Sequence, residues 1–137
     1  MLLLLFSVPT AVQDVMASFN GTHIIITWSP PTSPNGVLSY LIDIRKRDLL
    51  TQQTNIILSA LVVTELKFLI NNPKAFSEYT IDVTSQTNAG IGVTQIAMLQ
   101  TPEGGISRVL ALVATIIKCC RLISTCVYMN HILSHIF

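Results

Sequence analysis

The side chains with the most reactive chemistry in this sequence lie near its C-terminal end. They include Cys119, Cys120 and Cys126, and Arg121 directly follows the first pair. A cysteine that transfers phosphoryl groups needs an arginine several residues further on and glycine between them, so that backbone amides can surround the phosphate. Arg121 is too close for such a loop, and no glycine intervenes. The sequence therefore predicts no cysteine nucleophile and no enzymatic activity.

A second pattern that could do chemistry is the pair His131 and His135, which lies beside Cys126. A spacing of four residues can place two imidazoles on one face of a helix. A zinc site, however, needs a third or fourth ligand on a rigid frame, and this segment offers neither. We therefore expect neither a metal site nor a cofactor in this chain.

A modification signal is present at Asn20-Gly21-Thr22, which is the N-glycosylation sequon of this sequence. The same Asn-Gly pair is typical of a tight turn between two antiparallel strands. A sequon at a turn is accessible if the chain enters the secretory route. The sequence thus predicts glycosylation of Asn20 on that condition.

The elements around these residues follow a period of two. Alternate residues within 24–28 and 38–44 place apolar side chains on one face of each segment, which is typical of half-buried strands. The first face holds Ile24, Ile26 and Trp28, and the second holds Leu38, Tyr40, Ile42 and Ile44. Prolines 30, 31 and 34 cannot extend the pairing because they lack a backbone donor, and Asn35 with Gly36 supplies a turn. Further strands are predicted at 12–18, at 79–85 and at 93–99, with a glycine-bearing hairpin loop at 88–92. The β-rich segment within 56–70 supplies two more, from the apolar runs at 56–58 and 61–70.

Seven short strands with turn signals between them predict an all-β fold, a seven-stranded Greek-key β-sandwich. The side chains with inward parity are predicted to form its core, among them Trp28, Tyr40, Tyr79 and Ile81. No cysteine lies in this part of the chain, so core packing rather than a disulfide must stabilise the sandwich.

Composition divides the 137 residues into three parts. Half of the residues are apolar and 11% are charged, and the apolar excess lies at the two ends. Residues 1–8 form an apolar N-terminal segment that could belong to a signal peptide, residues 9–104 form the sandwich domain, and residues 105–137 form an apolar tail that we predict to be helical. The net charge of +1 predicts no nucleic-acid partner.

The order of several motifs resembles a fibronectin type III domain over residues 9–104. The motifs are Pro9 before the first strand, Trp28 followed by two prolines, the turn at Pro34, Asn35 and Gly36, Tyr40, Tyr79 with Ile81 and Val83, Asn88-Ala89-Gly90 with Gly92, and the closing Thr101-Pro102-Glu103-Gly104. Their spacing is similar to the repeated ectodomain modules of receptor-type tyrosine phosphatases, the Q type in particular.

This resemblance implies a non-catalytic adhesion or spacer module, located outside the cell or at the cell surface, from a fragment or truncated isoform of a receptor. The partners that it implies are a protein ligand or neighbouring fibronectin type III domains. In such sandwiches the end loops contact partners, so the candidate partner residues are Pro34, Asn35 and Gly36 in one loop and Asn88 and Gly90 in the other.

The chain departs from the family near Tyr79, where the resemblance implies that the phenol hydrogen-bonds to backbone upstream. The family places a leucine and a proline at positions that Pro73 and Ala75 occupy here. The leucine fills one end of the core in family members. We therefore expect a neighbouring apolar side chain, Ile70 or Phe76, to take its place.

Residues 106–137 leave three interpretations open: an aberrant terminus without an evolved function, a membrane-associated helix, or a helix that packs on the sandwich. In the second, Cys119 and Cys120 are conceivable palmitoylation sites. Lys118 and Arg121 interrupt the apolar run, and burying them in a bilayer is costly. The competing function is therefore a small membrane-associated protein that is tethered by this tail.

Overall fold

The computed structural model describes residues 7–104 together with Val113, Thr115 and Ile116. The first of these ranges contains seven strands, which are β1 Gln13–Phe19, β2 His23–Ser29, β3 Ser39–Asp48, β4 Thr54–Val63, β5 Lys67–Asn71, β6 Ser77–Thr87 and β7 Gly90–Gln100. They form one sheet in the order β1-β2-β5 and a second in the order β4-β3-β6-β7, and every pairing is antiparallel. The predicted seven-stranded β-sandwich is confirmed.

Two predicted boundaries differ from the structure. Within 56–70 the break between the two apolar runs at 56–58 and 61–70 is misplaced, because β4 continues to Val63 and the chain then crosses to β5 in the other sheet. The predicted hairpin loop at 88–92 is wrong in its length, since Gly90 already pairs with Thr87 and Ile91 pairs with Gln86. The glycines hide the apolar alternation, but their backbone still forms the sheet ladder.

Alternating side chains of both sheets fill the space between them. The buried apolar residues are Val12, Ile24, Ile26, Trp28, Tyr40, Ile42, Ile44, Tyr79, Ile81 and Val83. The rings of Trp28 and Tyr40 meet edge to face with centroids 5.5 Å apart, a geometry that aromatic pairs prefer. Partly buried side chains, including Phe68 and Ile70, pack against this cluster.

The chain divides into two units between Pro102 and Glu103. The sandwich lies in the first unit, and in the second the described residues 113, 115 and 116 are helical. The predictions for the cysteines and histidines of the tail, and for residues 1–6, lie outside the described residues. Within the part of the chain that the structure describes, no helix is both long and apolar enough to cross a bilayer.

Trp28 provides a test of the core. Its side chain is 4% exposed, and the indole Nε1 donor is buried without a hydrogen-bond partner among the described residues. Trp28→Ala should lower the free energy of unfolding by about 3–5 kcal/mol, because it removes the largest side chain of the cluster. Trp28→Phe, the control, should cost clearly less, because it keeps an aromatic ring and removes an unsatisfied donor. Urea unfolding of the three proteins measures both, and equal losses would contradict this packing.

Candidate functional site

The first candidate surface is the N-terminal junction, where residues 8–10 lead the chain into the sandwich. The backbone N–H of Thr10 donates to the carbonyl of Ser33 over 3.0 Å, and the N–H of Ser33 donates to the Thr10 hydroxyl over 3.1 Å. The Asn35 Nδ2 donates to the Val8 carbonyl over 2.9 Å. The loop between β2 and β3 therefore binds the chain's own leading segment.

The beginning of β7 completes this junction from the other side. The Ser85 hydroxyl donates to the carbonyl of Thr10 over 2.7 Å. A Cβ on Gly92 would lie 2.6 Å from the carbonyl oxygen of Pro9, which is far closer than carbon and oxygen atoms can approach. Glycine is thus required at position 92 for the leading segment to pack against β7.

The predicted partner residues lie around this junction. Pro34, Asn35, Gly36 and Asn88 are exposed, and Gly90 belongs to β7 rather than to a loop. The connection between β6 and β7 is consequently only Asn88 and Ala89. The structure brings the two predicted loops to one end of the sandwich, where Gly36 lies against the side chain of Thr87.

The second candidate surface is the C-terminal junction at Thr101, which is 3% exposed. Its N–H donates to the Ser77 carbonyl over 2.8 Å, and the N–H of Ser77 donates back to the Thr101 hydroxyl over 3.0 Å. The Thr101 hydroxyl also donates to the carbonyl of Lys74 over 2.7 Å. The N–H of Phe76 donates to the carbonyl of Pro102 over 3.0 Å.

Lys74 connects this junction to the core and to the turn after β3. Its backbone N–H donates to the Tyr79 hydroxyl over 2.8 Å, so Tyr79 does hydrogen-bond to backbone upstream. Burial raises the pKa of Tyr79, and the bond from Lys74 opposes that rise. Ile70, one of the two apolar side chains expected to compensate for the family's leucine, packs against the core cluster.

Asp48 anchors the other end of the Lys74 side chain. Its carboxylate accepts a hydrogen bond from the Lys74 ammonium and two more from the backbone N–H groups of Leu50 and Thr51, at 2.9 and 3.2 Å. The bond from Lys74, followed by those from Thr51 and Leu50, lowers the pKa of Asp48 from 3.8 to about 2. This charged group therefore stabilises the C-terminal end of the sandwich.

The turn between β1 and β2 presents the sequon in a defined conformation. The Asn20 Oδ1 accepts from the N–H groups of Thr22 and His23 over 3.0 and 2.8 Å, and from the Thr22 hydroxyl over 3.2 Å. The carbonyl of Thr22 accepts from the N–H of Asn72 over 3.2 Å. This turn therefore lies beside the loop between β5 and β6, near the C-terminal junction.

The outer face of the four-stranded sheet holds a third feature, an open depression of about 220 Å³ lined by Asp43, Arg45, Ile56, Leu58, Ser59 and Asp82. Arg45 forms an ion pair with Asp82 at 2.9 Å. Within residues 7–104 and the three described tail positions, no group of three His, Cys, Asp or Glu side chains suits a metal ion.

Sequence reasoning missed the polar residues that organise both junctions. Thr10, Ser33, Ser85 and Thr101 carry the hydrogen bonds, whereas the recognisable sequence motifs near them consist of aromatic residues and glycines. Serine and threonine are common in β-proteins, and nothing in the local pattern distinguishes a hydroxyl that binds a distant segment. Among these four residues, only Thr101 belongs to a motif that the sequence makes recognisable, the closing Thr-Pro-Glu-Gly.

The lowered pKa of Asp48 predicts a specific dependence of stability on pH. Because the folded state holds the carboxylate charged, the stabilisation is present above the ordinary pKa and is lost as the pH falls through about 2. Asp48→Asn should lower the urea midpoint at neutral pH and reduce its decline between about pH 5 and pH 2. Lys74→Met keeps the backbone bond to Tyr79 and leaves Asp48 its bonds from Leu50 and Thr51, so it should reduce the decline by a smaller amount than Asp48→Asn.

Glu65→Gln is the matched control for this experiment, because Glu65 is an exposed carboxylate in the connection between β4 and β5. Its urea midpoint should follow the wild-type decline across the same pH range. An Asp48→Asn protein whose decline equals that of the wild type would show that the Asp48–Lys74 contact does not contribute.

No protein-family model matches the chain. Human phosphatidylinositol phosphatase PTPRQ is 28% identical over 82 residues, which cover 60% of this chain and 3% of that protein. The chain thus spans a very small part of its curated relative.

Solved structures give a similar result. Domains d3–d4 of the rat CD45 extracellular region superpose with a TM-score of 0.59 at 18% identity, covering 69% of this chain and 51% of that one. The third fibronectin III domain of human KIAA0343 gives 0.57 at 21% identity, with coverages of 73% and 88%. The FN5 domain of Drosophila Lar gives 0.50 at 26% identity, with coverages of 71% and 100%.

The strand order, the buried core and the superpositions on solved structures all indicate the same fold. The described sandwich has the fold of a fibronectin type III domain, and it resembles an ectodomain module of a receptor-type phosphatase.

Proposed function

We propose that this domain is a non-catalytic extracellular module that acts as a spacer or adhesion unit in a cell-surface receptor. The observation that carries the proposal is that the chain is hydrogen-bonded into the sandwich on both sides of the domain, at the N-terminal and C-terminal junctions. The similarity to PTPRQ and to the CD45 extracellular region supports the extracellular setting.

The two junctions lie at opposite ends of β6. Ser85 contacts the leading segment near one end of this strand, and Ser77 contacts Thr101 at the other. A strand of 11 residues spans roughly 33 Å at about 3.3 Å per residue. A module that receives the chain at one end and releases it at the other separates whatever precedes it from whatever follows it.

The hydrogen bonds at the junctions also limit bending. An unanchored linker moves freely, and domains that share few contacts reorient readily. Here the leading segment bonds to Ser33, Asn35 and Ser85, so its direction follows the orientation of the sandwich. Neighbouring modules of the same fold are therefore the partners that this arrangement suits.

The absence of catalysis in this proposal is supported by how the charged groups are used. Arg45 pairs with Asp82, Arg47 lies 3.8 Å from Glu78, and Lys74 pairs with Asp48. Side chains engaged in this way already have partners of opposite charge. A protein ligand is the alternative partner, and it would contact the exposed residues Pro34, Asn35, Gly36 and Asn88.

Hydrogen exchange of the full chain tests the spacer role. The amide of Thr10 donates to Ser33 and that of Thr101 donates to Ser77, so both should exchange as slowly as amides within β6. Gly92→Ala should accelerate exchange at Thr10 by about tenfold or more, because the added methyl displaces residue 9. Thr101 is the internal control and should keep its rate. Rapid exchange at both junctions of the wild-type chain would contradict the spacer role.

The sequon tests the extracellular setting independently. The Asn20 Oδ1 is fully engaged by Thr22 and His23, while no described residue accepts a bond from Nδ2, the atom that receives a glycan. We propose that Asn20 is glycosylated. Expression of the full chain in a glycosylating cell should give a band that endoglycosidase shifts by the mass of one glycan.

Two variants at position 22 separate the modification from the fold. Thr22→Ala removes the sequon hydroxyl and should abolish the shift, whereas Thr22→Ser keeps both the sequon and the hydroxyl and should retain it. An unshifted wild-type chain inside the cell would contradict the extracellular setting. An unshifted chain in the medium would contradict only the glycosylation of Asn20.

A further inference from the structure

Two asparagines in the described part of the chain are followed by glycine, at Asn20-Gly21 and Asn35-Gly36. An asparagine in this context is open to an intramolecular reaction, because the backbone nitrogen of the next residue can attack the carbon of the side-chain amide. Glycine has no side chain to obstruct that approach, and its backbone adopts conformations that other residues avoid. These two positions can therefore undergo a reaction, the loss of ammonia, that neither a spacer nor an adhesion role uses.

The other described asparagines are less suited to this reaction. Asn72 precedes a proline, which has no backbone N–H. Asn55 and Asn71 lie within β4 and β5 and precede residues larger than glycine. Asn88 precedes Ala89, whose N–H donates to a neighbouring hydroxyl over 3.2 Å. The two Asn-Gly pairs are therefore the positions to compare.

The folded structure distinguishes these two pairs. The Asn20 Oδ1 accepts three hydrogen bonds, from two backbone N–H groups and one hydroxyl, and these restrain rotation of its amide. Asn35 is exposed, and its side chain makes a single hydrogen bond to a described residue, from Nδ2 to the Val8 carbonyl over 2.9 Å. Gly36 is exposed as well, and no described residue accepts a hydrogen bond from its N–H. Asn35 is therefore the less restrained of the two asparagines.

We propose that Asn35 deamidates spontaneously, and that the docked leading segment restrains this reaction through the hydrogen bond to Val8. The Gly36 nitrogen loses its proton to hydroxide and forms a bond to Cγ of Asn35, while the Cγ–Nδ2 bond breaks and Nδ2 leaves as ammonia with a proton from water. The resulting succinimide ring then takes up one water molecule at either of its two carbonyl carbons. Ring opening gives aspartate or isoaspartate, so that one water is consumed and one ammonia is released.

Neither product restores the contact that Asn35 makes. A carboxylate has no donor, so aspartate at position 35 loses the bond to the Val8 carbonyl and places a negative charge beside that oxygen. Isoaspartate also adds one atom to the backbone path. Gly36 lies so close to Thr87 that a Cβ on it would be 3.3 Å from the Thr87 Cβ, so a longer path must move this loop. Opening of the N-terminal junction frees Asn35 to react, and the reaction then keeps the junction loose.

Peptide mapping of the full chain tests the proposal. The protein is made in a host that does not glycosylate, so that Asn20 stays bare, and is incubated in warm, mildly alkaline buffer while mass spectrometry follows the replacement of each amide by a carboxyl group. Asn35 should convert about tenfold faster than Asn20, because additional hydrogen bonds restrain the Asn20 amide. In urea these bonds are lost and the two rates should become similar. Conversion of Asn35 no faster than Asn20 in the folded chain, or the same difference in urea, would overturn the proposal.

Gly92→Ala tests the restraint by the leading segment. The added methyl displaces residue 9 and with it Val8, so Asn35 should deamidate severalfold faster, while Asn20 should keep its rate. Ser85→Ala removes the hydroxyl that bonds to the Thr10 carbonyl and should act in the same direction, which keeps the test available if Gly92→Ala does not fold. An unchanged Asn35 rate in a folded variant with a loosened leading segment would overturn the restraint. These rates do not depend on whether the domain acts as a spacer.

Asn35→Asp reproduces one product of the reaction from the start. Hydrogen exchange at the Thr10 amide should be about tenfold faster than in the wild type, because the leading segment has lost one of its hydrogen bonds. Asn88→Asp is the matched control, since Asn88 is exposed at the same end of the sandwich and makes no described hydrogen bond to Val8. It adds the same charge and should leave the exchange rate unchanged. Equal exchange in Asn35→Asp and the wild type would overturn the link between Asn35 and the junction.

Discussion

The register of β6 is the constraint on which the rest of this structure depends. Its buried residues alternate along the strand, and Tyr79, Ile81 and Val83 face the second sheet. β3 pairs with it from Ser39 opposite Gln86 to Asp48 opposite Ser77. A slip of one residue would turn every one of these side chains to the outer face. The core thereby determines where the two ends of β6 lie, and both junctions are built on those ends.

Buried polar groups at the ends of β6 explain how the chain is anchored. Ser77 and Ser85 are completely buried, and a buried hydroxyl or amide without a partner is costly. Each finds its partner in a segment that arrives from elsewhere, Thr101 in one case and Thr10 in the other. The hydrogen bonds that satisfy these buried groups are therefore the same bonds that hold the leading and closing segments on the sandwich. This arrangement suits a module that joins two neighbours.

The outer face of the four-stranded sheet uses its charges in a comparable way. Arg45 engages Asp82, and Asp43 engages the bulge of β4 at Ser59 and Ala60. Exposed ion pairs contribute little to stability, but they determine which charged side chains are left to bond to other groups. The Asp43 carboxylate is thereby committed to the backbone of an edge strand.

The sequence alone determined the faces of the strands. Period-two alternation placed Trp28, Tyr40, Tyr79 and Ile81 on one side, and the Asn-Gly turns and prolines separated the strands, because these signals depend on neighbours within a few residues. The match between the closing Thr-Pro pair and the family pattern also came from the sequence.

Only the tertiary structure decided the polar contacts. Ser85 bonds to Thr10 across 75 positions of the chain, Lys74 to Asp48 across 26, and Ala60 to Asp43 across 17. The beginning of β7 at Gly90 and the bulge in β4 likewise follow from what each strand meets across the sheet. Local sequence specifies which face a side chain occupies, but a hydrogen bond between distant residues exists only after the sheets have packed and fixed the distance between them.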